Sequence, residues 1–260
     1  MLGAEVRALV TFSGSKYDET TRRIVQDGLR FGADRVDVYD DVWLSAHPFF
    51  ELNRWIFDHP GDRNGKRGFG WYSWKPLVIL DALSRCKPGD SVAYVDADTV
   101  PIAPLHVLWE TAERDGAMLF KAQTHKNFRW CKRDTYYVMG LGGSFGDESP
   151  DAGVARFMAF AAGQYKPQQF LWEWLTYAVN RLATTFDAST LGPEVGGFEE
   201  HRTEQAILTL LAHRYGYKLH RECDESGEES QEDRDLYPQL FQQIRQGSCD
   251  NGPGSRFRNV

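Results

Sequence analysis

The chain has 260 residues, of which 42% are hydrophobic, so it is long enough to bury a sizeable core. Its formal net charge of −7 equals that of residues 222–235, which hold eight acids and one arginine, so we interpret that segment as a solvated acidic loop on an otherwise balanced chain. The lack of a basic stripe excludes a nucleic-acid footprint, and the lack of a long apolar run or an N-terminal signal leads us to expect no integral membrane segment.

The first segment of the chain alternates strands with a helix. Arg7–Phe12 and Arg35–Tyr39 are short runs rich in strand-forming residues, and residues 18–29 between them have a helical pattern. This succession predicts a parallel sheet within an α/β fold. Residues 40–67 then form a connector, in which we expect one short helix at 48–57.

A lysine and two tryptophans precede the next predicted helix. Pro76 suits the first position of a helix that continues through residues 77–86 with apolar residues at helical spacing. Lys75, Trp71 and Trp74 therefore lie at its N-terminus, where backbone N–H groups and a partial positive charge suit a phosphate. The lysine adds a full charge, whereas the tryptophans either wall a pocket or belong to the core.

Two aspartates follow the strongest strand pattern in the chain. Residues 92–95 are an apolar run behind a turn signal, and Asp96 and Asp98 stand at its carboxyl end. Ligands bind at that edge of open α/β sheets, and alternation along a strand would send both carboxylates to one face. Two hard oxygen ligands on one side suit a Mg²⁺ or Mn²⁺ ion shared with substrate phosphates.

The remaining chain continues the alternation of helices and strands. We predict helices at 105–114, 151–162, 167–182 and 199–215, and strands at 117–122 and 217–220. The helix at 167–182 carries an aromatic stripe that indicates either packing or a sugar platform: Phe170, Trp172, Trp174 and Tyr177.

The cysteines are spread along the chain without the close spacing of a metal site: Cys86, Cys131, Cys223 and Cys249. We interpret them as isolated thiols in a reducing compartment, because disulfides persist mainly in oxidising ones. We therefore expect a cytoplasmic protein.

Four motifs, taken in order, resemble those of nucleotide-sugar-dependent glycosyltransferases of the GT-A fold. Asp96-Ala-Asp98 after its apolar strand resembles their DxD motif. Three other segments are similar to parts of bacterial and viral polysaccharide glycosyltransferases: Gly68-Phe-Gly-Trp-Tyr-Ser-Trp-Lys-Pro76, Trp130-Cys-Lys-Arg-Asp134 and Glu200-His-Arg-Thr-Glu-Gln205. The resemblance implies a Rossmann-like mixed, mainly parallel sheet flanked by helices, with one domain at 1–220 and an acidic loop and tail at 221–260.

The resemblance also implies where the donor and the metal bind. Residues after the first strand would contact the nucleoside, and the other motifs would hold the diphosphate or its sugar. The donor-binding residues implied in this way are Thr11, Phe12, Ser13, Trp71, Trp74, Lys75, Asp96, Lys132, Arg133, Arg202 and Gln205. Asp96 and Asp98 would bind Mn²⁺ or Mg²⁺, with the shell completed either by His220 or by substrate phosphates and water.

The implied reaction moves a sugar from a UDP-, GDP- or dTDP-linked donor to a hydroxyl of a saccharide acceptor, in polysaccharide biosynthesis. If configuration inverts, a carboxylate must take the acceptor proton, and the candidates are Asp134 and Glu204. If configuration is retained, the same acids would hold the donor face. Glu204-Gln205 resembles the Asp-Gln pair that related glycosyltransferases use against the donor sugar, with Glu in place of Asp.

Two other classes of function fit part of the sequence. Asp96 and Asp98 also match the nucleophile and acid/base of a haloacid dehalogenase-type phosphatase, and residues 146–151 match its late GDxxxD motif. That motif should end an apolar strand, whereas a glycine-rich run precedes it here. A non-catalytic carbohydrate-binding protein is permitted by the eight tryptophans, but it would give the two carboxylates no task.

Overall fold

We describe the fold from a computed structural model, in which residues 5–14, 18–58, 69–142, 148–227, 230 and 232–244 are placed. The helices within these residues are α1 (Asp18–Arg30), α2 (Asp41–Ala46), α3 (Pro48–Leu52), α4 (Arg54–Phe57), α5 (Lys75–Ser84), α6 (His106–Asp115), α7 (Arg133–Val138), α8 (Tyr165–Ala178), α9 (Arg181–Thr184) and α10 (Thr203–Tyr215). The strands are β1 (Arg7–Phe12), β2 (Arg35–Tyr39), β3 (Ser91–Val95), β4 (Thr99–Pro101), β5 (Ala117–Lys126), β6 (Asp151–Ala161), β7 (Leu219–Arg221) and β8 (Phe241–Gln243).

The described strands form a six-stranded sheet in the order β2-β1-β3-β6-β5-β7, beside a separate β4-β8 pair. β1 pairs in parallel with β2 and with β3, and β5 pairs in parallel with β7. β6 alone among the described strands of this sheet runs antiparallel to its neighbours, β3 and β5. The predicted class, an α/β fold with a mixed, mainly parallel sheet flanked by helices, is confirmed.

Strand alternation divides the core between the two faces of the sheet. On β3, Val92 and Tyr94 face a cluster that includes residues of α5, α8 and α10, while Ala93 and Val95 face a cluster that includes residues of α1 and α6. Both faces are therefore covered, and the carboxyl edge, where β1, β3 and β5 end together, is the place at which the motifs converge.

One predicted helix is wrong. Residues 151–162 suggested a helix because alanine and methionine favour helices, but they form β6, which lies between β3 and β5. Nearly every residue of this strand is buried, so its sequence lacks the polar alternation that usually marks a strand. Packing between two neighbours has overridden the local preference.

The acidic segment is less solvated than its composition suggested. In its described part, Asp224 and Glu222 are buried, and Asp224 pairs with Arg156 of β6. Arg221, directly before the segment, is also buried, and its guanidinium donates to the carbonyl of Tyr237 (2.8 Å). β8 then brings the segment back against β4.

Several sequence predictions fall partly or wholly outside the described residues: the connector at 59–67, Gly68, the start of the GDxxxD motif at 146–147, Cys249 and the tail from 245 onwards. Cys86, Cys131 and Cys223 are free thiols. None of the helices in the placed part of the chain is both long and apolar enough to cross a bilayer.

Candidate active site at the carboxyl edge of the sheet

The two aspartates of the DxD motif lie in a turn at the end of β3. The amide of Asp96 donates to the carbonyl of Arg156 on β6 (2.8 Å), which extends the strand pairing by one bond. The amide of Thr99 then donates to the carbonyl of Asp96 (3.0 Å) and closes the turn that contains Asp98. Both aspartates are half-buried. The turn, rather than strand alternation, therefore sets the positions of the two carboxylates.

A buried lysine joins two of the candidate residues. The side chain of Lys75 is 2% exposed, and its ammonium lies 2.9 Å from Oδ1 of Asp96 and 3.2 Å from Oε1 of Glu204. The same nitrogen donates to the carbonyl of Ala155 on β6 (2.9 Å). Tyr94 donates its hydroxyl to Oδ1 of Asp96 (2.9 Å). The structure thus brings together Lys75, Asp96 and Glu204, which belong to three separate sequence motifs; we call this group the lysine junction.

Charge holds the lysine junction together. Burial alone would lower the pKa of Lys75, but the carboxylates of Asp96 and Glu204 outweigh it and raise that pKa, so the lysine is protonated at neutral pH. Burial raises the pKa of Asp96, with Lys75 opposing the rise and the charge of Asp98 adding to it. One ammonium facing two carboxylates leaves an excess of negative charge.

A left-handed turn precedes Lys75. Gly70, Trp71 and Tyr72 have φ values of 56°, 50° and 58°. Such values cost a non-glycine residue roughly 1–2 kcal/mol, so two consecutive aromatic residues here store strain. The turn places the ring of Tyr72 4.7 Å from the Lys75 ammonium, a cation–π contact. Strain of this kind is concentrated at functional sites.

The two tryptophans of this motif lie in the core. Trp71 is 1% exposed and Trp74 is 4% exposed. Trp74 stacks on Phe12 with ring centroids 3.9 Å apart, and its Nε1 donates to the carbonyl of Phe69 (2.9 Å). The structure therefore favours the core alternative for both tryptophans, and it ties the left-handed turn to the end of β1.

The end of β1 lies beside β3 at the same edge. Thr11 is fully buried, and its Oγ1 has no hydrogen-bond partner among the described residues. The hydroxyl of Ser13 lies 2.5 Å from that of Thr21, and the amide of Ser13 donates to the carbonyl of Tyr39 (2.8 Å). A buried polar atom without a partner is uncommon, so Thr11 remains a candidate for contact with a ligand.

The second aspartate of the motif is held by the C-terminal strand. Oδ1 of Asp98 accepts from the hydroxyl of Thr99 (2.9 Å), and Oδ2 accepts from Nε2 of Gln243 on β8 (3.0 Å). The amide of Ile244 donates to the carbonyl of Asp98 (2.6 Å). An ionised carboxylate has about four acceptor positions, so Asp98 keeps capacity for a further ligand.

Carboxylates outnumber cations around this edge. Burial opposes the charge of Arg156, but neighbouring carboxylates outweigh it and raise its pKa. Within the described residues, no group of three or more His, Cys, Asp or Glu side chains is arranged to hold a metal ion. Lys75 and Arg156 face the following acids: Asp96, Asp98, Glu204, Glu222 and Asp224. Two half-buried carboxylates within a negative surrounding fit a hard divalent cation, which prefers oxygen ligands.

The carboxylate of Asp134 accepts hydrogen bonds from a loop residue, Thr190. This buried carboxylate accepts from the amide of Thr190 (3.1 Å) and from its hydroxyl (2.6 Å). Burial would raise the pKa of Asp134, but the hydrogen bonds from Thr190 outweigh it and lower that pKa. A carboxylate stabilised in its ionised form is a weak proton acceptor, so this arrangement suits a structural anchor better than a general base.

The neighbouring basic residues fasten the same loop. Lys132 is buried, and its ammonium donates to the hydroxyl of Thr185 (3.4 Å). Burial lowers the pKa of Lys132. The amide of Arg133 donates to Glu194 (2.8 Å), and its guanidinium donates to the carbonyl of Pro193 (2.9 Å). The motif at 130–134 thus joins α7 to the segment between α9 and α10.

Glu204 and Gln205 stand at the start of α10, behind a strained residue. Thr203 has a φ of 37°, and its hydroxyl donates to Oε2 of Glu204 (2.5 Å). Both carboxylate oxygens of Glu204 are therefore engaged, one by this hydroxyl and the other by Lys75. Gln205 is half-buried. The guanidinium of Arg202 stacks 4.2 Å from the ring centroid of Trp130, which connects the third and fourth motifs.

His220 stands apart from the DxD pair. It lies on β7, three strands away from β3, which corresponds to roughly 14 Å across the sheet. Its Nδ1 lies 3.1 Å from Oδ2 of Asp233, and its ring packs against Phe120. The structure does not bring this histidine to Asp96 and Asp98.

Four residues that complete this site were missed in the sequence: Tyr72, Tyr94, Thr203 and Gln243. Tyr94 carried a usable signal, because it precedes Asp96 by two residues and side chains two apart along a strand share a face. The left-handed turn at Tyr72 and the strained φ at Thr203 have no sequence pattern of their own. Gln243 meets a residue 145 positions away, and only the tertiary fold reveals that contact.

The described part of the phosphatase motif does not have the structure that such a phosphatase requires. Its last acid, Asp151, begins β6 and pairs with Lys126 (2.9 Å), with about half of its side chain exposed. This last acid therefore begins a strand, whereas the phosphatase arrangement requires an acid at the end of one.

No family model matches the chain, and neither does any curated protein. Among solved structures, mouse xyloside xylosyltransferase 1 in its apo form is similar with a TM-score of 0.49 and 10% identity, over 96% of this chain and 100% of that one. The apo WbbM bifunctional glycosyltransferase is similar with a TM-score of 0.46 and 12% identity, over 84% of this chain and 38% of that one. Both likenesses concern the path of the chain alone.

Proposed function

We propose that this chain is a glycosyltransferase that moves a sugar from a nucleotide-diphosphate donor to a hydroxyl of a saccharide acceptor, assisted by a divalent cation. The observation that carries the proposal is the lysine junction beside Asp98, at the carboxyl edge of the sheet. It combines a protonated lysine, which attracts phosphate, with carboxylates that attract a cation. A diphosphate that leaves with a bound cation needs both.

Asp96 and Asp98 would hold Mn²⁺ or Mg²⁺ together with the donor phosphates. When bound, the ion supplies Lewis-acid stabilisation of the departing diphosphate. The ammonium of Lys75 favours the ionised form of Asp96 and pairs with its Oδ1, and the hydroxyl of Tyr94 donates to the same Oδ1. Gln243, in the region after residue 220, would orient Asp98 through its hydrogen bond to Oδ2.

Glu204 is the carboxylate that we assign to the donor sugar or to the acceptor proton. It belongs to the lysine junction, whereas Asp134 accepts a hydrogen bond from Thr190, in the segment between α9 and α10. For an inverting reaction Glu204 would accept the proton of the attacking hydroxyl; for a retaining one it would hold the donor face. Thr11, Ser13, Arg202 and Gln205 are the other described residues that we assign to the donor.

The decisive experiment measures release of nucleoside diphosphate from a panel of UDP-, GDP- and dTDP-sugars with Mn²⁺. We expect turnover of at least one donor, and a loss of about 10²–10³-fold in Asp98→Asn, the range found when a preorganised stabilising group is removed. Asp151→Asn is the matched control, because the ion pair of its carboxylate with Lys126 is about half exposed, and it should retain activity. Turnover that is unchanged in Asp98→Asn, or no release of nucleoside diphosphate from any donor, contradicts the proposal.

A phosphomonoester assay separates the alternative classes. Hydrolysis of p-nitrophenyl phosphate that depends on Asp96 would support a phosphatase. Saccharide binding with neither activity would support a carbohydrate-binding protein.

A further inference from the structure

A groove on the solvent side of α8 lies outside the site described above. It has a volume of about 310 Å³ and is lined by Tyr165, Gln168, Gln169, Trp172, Glu173 and Tyr215. The first five residues follow helical spacing along one face of α8, and Tyr215 comes from the end of α10. A volume of this size is at the lower end of the range for small-ligand sites.

The aromatic stripe of α8 divides between the core and this groove. Phe170 and Trp174 are fully buried in the core, whereas Trp172 is 54% exposed and Tyr165 is 74% exposed. The core alternative thus explains only part of the stripe. Two large aromatic side chains exposed on one helix face, together with a third ring from Tyr215, form a surface that commonly marks an interaction site.

The polar side chains between these rings are held in place. The carboxylate of Glu173 accepts from the hydroxyl of Tyr215 (2.8 Å) and pairs with Arg214. The amide of Gln169 donates to the hydroxyl of Tyr165. Amide side chains both donate and accept, and a fixed carboxylate accepts. The groove therefore offers flat rings and oriented hydrogen-bonding groups next to one another.

This combination fits a sugar. A pyranose has apolar C–H faces, which pack on aromatic rings, and a rim of hydroxyls, which need both donors and acceptors. The charge of Glu173 is balanced by Arg214, so the lining favours a neutral ligand over an acidic one. A second copy of the chain fits less well, because a stable dimer buries about 800 Å² on each partner, far more than six side chains provide.

α8 and α10 connect the groove with the lysine junction. Trp174, two residues after Trp172, donates its Nε1 to the carbonyl of Glu204 (3.0 Å). Along α10, Tyr215 follows Glu204 by eleven residues, or about 16 Å. An extended oligosaccharide can span that length. We propose that the α8 groove binds a neutral saccharide chain and serves as a remote contact for the acceptor; the acceptor role, but not the saccharide binding, rests on the proposed function.

The test measures saccharide binding by titration calorimetry with neutral hexasaccharides of glucose, xylose and mannose. We expect at least one to bind with a millimolar or lower Kd, and at least tenfold weaker binding in Trp172→Ala and in Tyr165→Ala. Both side chains are exposed, so the variants should fold, which circular dichroism verifies. Leu52→Ala removes another exposed apolar side chain, on α3, and should bind like the unchanged protein.

The outcomes separate this inference from the proposed function. If saccharide binding depends on Trp172 but the protein turns over no donor, saccharide binding in the groove is supported and the proposed glycosyl transfer is contradicted. Turnover of a donor with no binding of any hexasaccharide, or with equal binding in Trp172→Ala and the unchanged protein, overturns the groove. A dimer in sedimentation experiments that Trp172→Ala dissociates also overturns it, in favour of self-association.

Discussion

The side-chain amide of Gln243 donates a 3.0 Å hydrogen bond to Oδ2 of Asp98, across 145 residues of sequence. The contact exists because β8 pairs with β4 directly after the DxD turn, with Gln243 opposite Thr99. Thr99 in turn donates to the other oxygen of Asp98. The second aspartate of the motif is therefore oriented from both sides by two short strands outside the main sheet.

We expect Gln243→Ala to weaken Mn²⁺ binding by about tenfold or more, because groups that orient a metal ligand typically contribute 10–100-fold to affinity. Electron paramagnetic resonance of free Mn²⁺ measures this without any donor or turnover. Gln242→Ala, on the exposed side of the same strand, is the control and should bind Mn²⁺ normally. Equal affinities in the two variants would falsify the orienting role of Gln243.

We expect Lys75→Met to lower the free energy of unfolding by about 3–5 kcal/mol, because removing one partner leaves buried charges unpaired. Asp96 and Glu204 would then repel each other without the ammonium between them. Urea denaturation measures the loss. Adding Glu204→Gln should recover part of it, since one of the two unpaired charges is removed.

Lys126→Met is the control for this prediction. Its ion pair with Asp151 is about half exposed, and such pairs contribute about 1 kcal/mol or less. A loss in Lys75→Met no larger than in Lys126→Met would mean that the lysine junction does not hold the fold together.

The first two strands are well predicted from the sequence because the signals that specify them are local. β1 and β2 have the predicted bounds, Arg7–Phe12 and Arg35–Tyr39, since apolar strand-forming runs with turns on both sides specify them. β6 could not be recognised in this way, because a strand buried on both faces loses its alternation and its residues also favour a helix.

The candidate site is predictable only in its parts. Lys75, Asp96 and Glu204 each belong to a motif, but their meeting depends on how α5 and α10 pack against the sheet. Lys132 and Asp134 have the composition of a sugar site, and only the tertiary fold reveals that they contact Thr185 and Thr190 of the segment between α9 and α10. Residue type indicates which chemistry is available, whereas burial and partners decide how it is used.

We expect the free energy of unfolding to fall less between pH 7 and pH 5 in His220→Gln than in the unchanged protein. Burial, with Lys218, lowers the pKa of His220 in the folded state despite the opposing charge of Asp233. The unfolded chain therefore binds more protons, so this contribution to stability is fully present above the unfolded pKa of about 6.5 and is lost as pH falls from there through the lower folded pKa. Urea denaturation at several pH values measures the slope. His213→Gln, at an exposed position of α10, should keep the original slope, and a slope equally steep in His220→Gln would contradict this assignment.

Gly70→Ala tests the left-handed turn that precedes Lys75. Gly70 has a φ of 56°, and a Cβ there would lie 2.4 Å from Cε1 of Phe57, so alanine meets both backbone strain and a clash with a core ring. Gly216 has a similar φ of 64° with nothing within 4 Å of its Cβ position, so Gly216→Ala carries the backbone cost alone, roughly 1–2 kcal/mol. We expect the free energy of unfolding of Gly70→Ala to fall by a further 1–3 kcal/mol or so, the usual cost of overpacking, when urea denaturation of both variants is compared.

Because the same turn carries Tyr72 over the Lys75 ammonium, Gly70→Ala should also weaken donor binding, and Gly216→Ala should not. Equal destabilisation of the two variants would show that the turn can shift away from Phe57 and is not fixed by its packing.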